Sequence, residues 1–376
     1  MATNKVNIAF TVTVFTFASL LAFFILNRWL FTDIGILSYG RVWQFYLSYS
    51  DFGFVRRALI GSILSETRMN LILKNEYQFA LTIHHIAIAS LSSLIAYYCI
   101  SRKITDKLFL STVAFSPALI IHSGYNTGSL DIFVLILAAI NILFIRQPII
   151  FSILLVAGIL THELSLFTVP AQFAALLICG PTKGNILDQM RALSAPIAAL
   201  LLAAIVVLLF GKSDVPQELV EEVMRQKIPN AAEKHGLWSG YFEIASTLSQ
   251  NSGFIRSLLA APASDLIWVT IPLIYVAVNV IRLCAYAEQS TEVAIVSLAV
   301  LSPLLTSVVA GDHYRWIAMS ANMALVLALL YVNRLGRSGS RWDAPLLLFG
   351  LFAPFGGAEI TRPFPMHQFA IERFFN

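Results

Sequence analysis

The feature that most constrains this chain is a succession of apolar runs, separated by a few polar residues at a time, that fills most of its length. A helix of roughly 20 apolar residues crosses a bilayer, and a spanning helix satisfies its own backbone hydrogen bonds without water. The composition agrees: 58% of residues are hydrophobic and only 12% charged, about half the charge of an average soluble chain. The fold class read from the sequence is therefore all-α, a polytopic transmembrane helix bundle. By the length rule it has about eleven spans, and residues 1–376 form a single transmembrane domain.

Apolar runs read against polar punctuation place the spans at 8–31, 77–100, 108–121, 132–145, 149–161, 164–179, 192–210, 266–285, 294–310, 316–332 and 345–355. The first lacks a small-residue cleavage site and reads as an uncleaved span. One set of short loops carries Arg102, Lys103, Lys107, Arg146, Lys183, Arg191, Arg282, Arg334, Arg337 and Arg341, while the alternate set carries almost only Arg315. The positive-inside rule makes the first set cytoplasmic, together with the N-terminus and Lys5. The expected location is the inner membrane of a bacterium, with the working face extracytoplasmic.

Two long segments, 32–76 and 211–265, then become extracytoplasmic loops. Residues 38–73 interleave aromatics with charges as an interfacial helix does. Near 216–225, Leu219, Val220, Val223 and Met224 share one helical face. Both loops are expected to carry helices lying along the membrane surface. The net charge of +4 is what cytoplasmic loops produce, and no nucleic-acid partner is read from it. Cys99, Cys179 and Cys284 all stand in apolar segments with no metal-like or disulfide-like spacing.

Sorted by side, the polar chemistry is lopsided. The outer ends hold Asp33, the string Asp51-Phe-Gly-Phe-Val-Arg56-Arg57, His84 and His85, His122 through Tyr125, Asn126 and Asp131, then His162-Glu163, and finally Asp312-His313-Tyr314-Arg315-Trp316. Five of the seven histidines fall in this layer. Ionisable groups near membrane depth are costly unless paired or hydrated, so they mark sites facing the bundle interior. Arginine offers bidentate contacts to phosphate oxygens, and a carboxylate accepts a hydroxyl proton.

Plainer roles stand beside these. Asp51 with Arg56 or Arg57 reads equally as a surface ion pair, and the arginines as groups snorkelling to lipid headgroups. His162-Glu163 fits a capped turn, and Leu166 stands where a zinc-protease signature needs its second histidine. His84 and His85 point in different directions on a helix, which favours packing or a hydrogen bond over a metal pair. No metal site is assigned. The sequence has no Walker A loop, no GxGxxG run and no nucleophile elbow. A transporter would spread its polar groups near the midplane, often in broken helices.

The layout resembles the integral-membrane glycosyltransferases of the GT-C type and the related polymerases that assemble bacterial polysaccharides from polyprenyl-linked sugars. Asp51 stands in a long first outer loop, where such enzymes present an acidic catalytic residue, with Asp33 as the alternative. Segment 211–265 stands where they have a second long loop, and Gly311-Asp-His-Tyr-Arg-Trp316 looks like their polar groups near the donor phosphate. A Trp-Trp-Asp acceptor signature is missing, which removes the oligosaccharyltransferase branch.

The resemblance implies transfer of a sugar or glycan from a polyprenyl-phosphate donor to a glycan acceptor at the outer face, with Asp51 accepting the acceptor's proton. Arg56, Arg57 and Arg315 would hold phosphate charge. Tyr125, Asn126, Asp131, His162, Glu163, Asp312 and His313 would orient sugars and arginines. No cofactor is required, and a divalent cation bridging phosphate and carboxylate is compatible with the scheme. Partners are the lipid-linked sugar, the acceptor and membrane lipids. The alternative is a flippase or transporter of an anionic lipid-linked glycan.

Overall fold

The computed structural model describes residues 2–27, 39–69, 72–73, 75–124, 129–179, 186–212, 215–229, 263–308, 313–336 and 339–352. The described residues are helices and their connections, with no strand among them. In chain order the α-helices are α1 (Ala2–Leu26), α2 (Tyr49–Phe52), α3 (Ala58–Glu66), α4 (Glu76–Ser101), α5 (Lys107–Ala114), α6 (Ile120–Ser123), α7 (Asp131–Leu143) and α8 (Pro148–Thr161). They continue as α9 (Val169–Cys179), α10 (Ile186–Phe210), α11 (Gln217–Lys227), α12 (Ala263–Tyr286), α13 (Ser290–Leu301), α14 (His313–Leu335) and α15 (Asp343–Phe352). Five stretches are long and apolar enough to cross a membrane: Lys5–Leu26, Glu76–Ser101, Leu193–Phe210, Val269–Tyr286 and Arg315–Leu335. Shorter apolar helices at Asp131–Leu143, Pro148–Thr161, Glu163–Ile178 and Ser290–Thr306 fill the spaces between them.

Local chemistry sets the helix ends. Asn75 accepts from the backbone N–H groups of Tyr77 and Gln78 to open α4, and Asp106 accepts from Phe109 N–H at 2.9 Å to open α5. Such caps are worth about 1 kcal/mol each. Pro148 opens α8, where its missing N–H costs nothing. The expected span at 108–121 is not one helix. Pro117 has no N–H to donate and disfavours the helical conformation at Ser116, so α5 stops at Ala114 and α6 restarts at Ile120.

The bundle is built around α14. Of the hydrophobic window in Arg315–Leu335, 94% is buried, against 17% in Leu193–Phe210 of α10. Helices α7, α9, α12 and α13 all touch α14, while α1 packs on α4, α5 and α6. The exposed side of α10 is a row of Leu201, Leu202, Ile205, Leu208 and Leu209, a surface suited to lipid and costly in water.

The long loops pack on one another, while Leu219 of the expected apolar face stays exposed. The apolar face of α11 is buried in protein: Val220, Met224 and Ile228 share one cluster with Val42, Trp43, Phe45, Tyr46 and Phe52 from the first loop. The Arg56 N–H also donates to the Gly211 carbonyl at 2.9 Å. The two loops thus form one packed unit over one end of the bundle. An amphipathic periodicity reports that a face is buried, without saying whether lipid or protein buries it.

Arg282 is a further correction, because it is not a loop charge. It lies within α12, fully buried, and donates to Asp343 Oδ1 at 2.8 Å, with its guanidinium over the Phe109 ring at 5.4 Å. The Ser340 N–H donates to the other carboxylate oxygen at 2.7 Å. Arg334, near the C-terminal end of α14, pairs with Glu288 and Glu292 at 2.8 Å each.

Candidate active site

At the opposite end of α14, Arg315 stands in the first turn and reaches the first residue of α7. Its Nε donates to Asp131 Oδ2 and its Nη2 to Asp131 Oδ1, both at 2.7 Å. Nη2 also donates to Ser129 Oγ at 3.3 Å, and the guanidinium lies over the Trp316 ring at 5.0 Å. Such a fork holds two planar groups in fixed register. The N-terminus of α7 adds its favourable partial charge to the Asp131 carboxylate.

A second fork joins the loop unit to the bundle. Arg57 Nε donates to both oxygens of Glu163 at 3.1 Å, and Nη2 donates to Oε1 at 2.5 Å. Arg57 caps α3 in the left-handed region, φ 67°, a conformation that costs a non-glycine residue about 1 kcal/mol or more. Glu163 opens the 3-10 turn Glu163–Thr168 after α8. Gly158 makes that turn fit, because a Cβ there would meet Ser165 Oγ at 2.6 Å. Arg56 is half-buried beside it, and its charge reaches Glu163.

His162 lies between the two forks. It is 2% exposed and extended, φ −161°, and its Nδ1 accepts from the Leu164 N–H at 3.2 Å. The charges of Arg57, Glu163, Asp131 and Arg315 all reach it. Six sequence-predicted residues thus gather at one end of the bundle: Arg56, Arg57, Asp131, His162, Glu163 and Arg315.

Asp51 sits apart from that group. It lies at the surface on α2, accepts from Ser48 Oγ, and pairs with Lys227 at the end of α11. Its expected arginine partner is engaged by Glu163 instead. Burial pushes the phenols of Tyr46 and Tyr49 up, with the Glu76 carboxylate adding to the effect at Tyr46. Both rings shortly precede Asp51 in sequence and stay neutral groups. Tyr125, Asn126 and Asp312, like Asp33, lie outside the described residues. His313 opens α14, and its side chain lies outside them too.

The Arg315–Asp131 fork borders a small cavity. His84, His122, Ser129, Asp131, Arg315 and Asn322 supply its polar lining. His84 Nε2 donates to the Ser123 carbonyl at 2.8 Å, which fulfils the hydrogen-bonding role expected of it. Asn322 was missed by the sequence reading, although it lies seven residues beyond Arg315 and so on the same face of the helix. Lys227 was missed because nothing local in a sequence links it to Asp51. Among the described residues no group of three His, Cys, Asp or Glu side chains is placed to hold a metal ion.

No family model, no curated protein and no solved structure matches the chain.

Proposed function

We propose that this protein is a membrane glycosyltransferase of the GT-C type, moving a sugar or glycan from a polyprenyl-phosphate-linked donor to a glycan acceptor at the extracytoplasmic face of a bacterial inner membrane. The convergence of two arginine–carboxylate forks on His162 at one end of the bundle supports this reading. In the proposed topology the shorter helices complete about eleven crossings by the bilayer length rule, and the forks lie on the outer side with the packed loops above them.

A phosphate exchanges for a carboxylate on arginine without changing the geometry of the fork. Donor binding at Arg57 or Arg315 would release Glu163 or Asp131 towards the sugar. The arginines then stabilise the charge that develops on the departing phosphate. The resemblance makes Asp51 the first candidate for accepting the hydroxyl proton, and Lys227 must leave it first.

Complementation of a deletion strain tests the proposal. Arg57→Ala and Arg315→Ala, each present at wild-type abundance, are expected to accumulate unextended glycan on its lipid carrier, read by mass spectrometry of extracted lipids. An unchanged profile in both would remove these arginines from the reaction.

A further inference from the structure

Of the four histidines described near this end, His122 lines the cavity within reach of the Asp131 and Arg315 charges, and the other three differ in which nitrogens are already used. His85 Nδ1 contacts the Leu81 carbonyl at 2.6 Å and must donate, so its Nε2 accepts from the Asn27 amide at 2.8 Å. The acceptor nitrogen of His162 takes the Leu164 N–H. His84 differs. A carbonyl only accepts, so Nε2 of His84 carries the proton it gives to Ser123, and in the neutral ring Nδ1 is a bare acceptor. That Nδ1 is buried and has no hydrogen-bond partner, and the ring is 0% exposed.

Asn322 Oδ1 is buried without a partner as well. Both side chains line the cavity that Arg315 and Asp131 border. Two buried acceptors facing one cavity call for a guest with two donor hydrogens. The cavity measures about 20 Å3, and roughly 10–15 Å3 by the same measure holds one water. A sugar does not fit there, whereas a water satisfies both atoms.

We infer that His84 is the proton acceptor of the outer site, reached through one water bound between its Nδ1 and Asn322 Oδ1. The inference rests on the transfer reading above and deepens it. A hydroxyl held beside the Arg315–Asp131 fork gives its proton to the water as the water gives one of its own to Nδ1. The hydroxyl oxygen forms the new bond to the anomeric carbon, the carbon–oxygen bond to phosphate breaks, and its electron pair leaves on the phosphate oxygen. The imidazolium that forms lies within reach of the charge of the Asp131 carboxylate. Asp51 must shed Lys227 before it accepts a proton, whereas His84 Nδ1 has nothing to shed. Asn322 acts as a positioning residue for the water.

The test uses the full chain, 15N-histidine-labelled in proteoliposomes, with water-edited solid-state NMR and turnover of lipid-linked glycan extracted from the deletion strain. His84→Gln assigns the resonance by difference, and glutamine keeps a donor for Ser123 while losing the basic nitrogen. The expected result is an Nε2–H tautomer whose bare Nδ1 receives magnetisation from water, with turnover falling about 100-fold or more in His84→Gln. Asn322→Leu is expected to abolish the water transfer and lower turnover while leaving the tautomer intact. A proton on Nδ1, a dry cavity, or wild-type turnover in His84→Gln would overturn the inference. Wild-type protein that turns over no lipid-linked glycan would instead count against the transfer reading, with the tautomer and water contact still reporting whether Nδ1 is an open, hydrated acceptor nitrogen.

Discussion

Arg315 grips both oxygens of Asp131 at 2.7 Å across 184 residues of chain, and so ties the central helix to the N-terminus of α7. The guanidinium is 8% exposed and the carboxylate 16%. Removing one partner of such a pair strands a charge in a poorly hydrated place. Arg315→Met alone is expected to destabilise the protein by about 3 kcal/mol, and the double variant Arg315→Met with Asp131→Leu to recover most of that loss. Denaturant titrations in detergent measure both. A double variant no more stable than the single would contradict the pairing.

The Arg57–Glu163 fork joins a charged loop residue to the turn between α8 and α9. The exchange Arg57→Glu with Glu163→Arg is expected to restore the membrane abundance lost in either single variant, but not activity, because the cation then sits on the wrong element. Immunoblotting of membranes alongside complementation separates the two readouts. Restored activity would place the fork outside the binding step.

Lys227 and Asp51 join the two long loops at the surface, where ion pairs contribute at most about 1 kcal/mol. Lys227→Met is expected to change unfolding by less than that, yet to make a cysteine placed at Ser50 label faster with a water-soluble maleimide. Unchanged labelling would mean that the pair does not hold α11 over α2.

Arg282 and Asp343 are both fully buried, far from the forks. Asp343→Ala is expected to cost about 3–5 kcal/mol, while Arg282→Met with Asp343→Leu comes close to neutral. Loss of membrane-inserted protein in Asp343→Ala, rescued by the second change, is the outcome to look for.

The sequence was most legible where one residue type carries a strong local meaning. Hydropathy located most helices of the bundle, because burial in lipid and burial in protein demand the same side chains, although α1 and α10 begin six residues before the expected spans. The break at Pro117 was readable from backbone chemistry and was passed over, since the apolar run continues through it. At the site, the charges were legible as a layer at the ends of the apolar runs, and their pairings were not. Arg57 sits 106 residues from Glu163, and only packing of α3 on α8 decides that Glu163, not Asp51, is its partner. Arg282 was misread for a related reason. A charge flanked by apolar residues looks like a loop until a buried carboxylate elsewhere balances it.

Transfer is measured most directly on purified protein in proteoliposomes given the polyprenyl-linked glycan extracted from the deletion strain together with its membrane acceptor fraction. Mass spectrometry follows free polyprenyl phosphate and extended glycan. Wild-type protein is expected to release polyprenyl phosphate as the acceptor grows, and Arg315→Ala at equal loading to release none above background. Lipid-linked glycan that crosses the bilayer intact, with no polyprenyl phosphate released, would contradict transfer and make the protein a transporter.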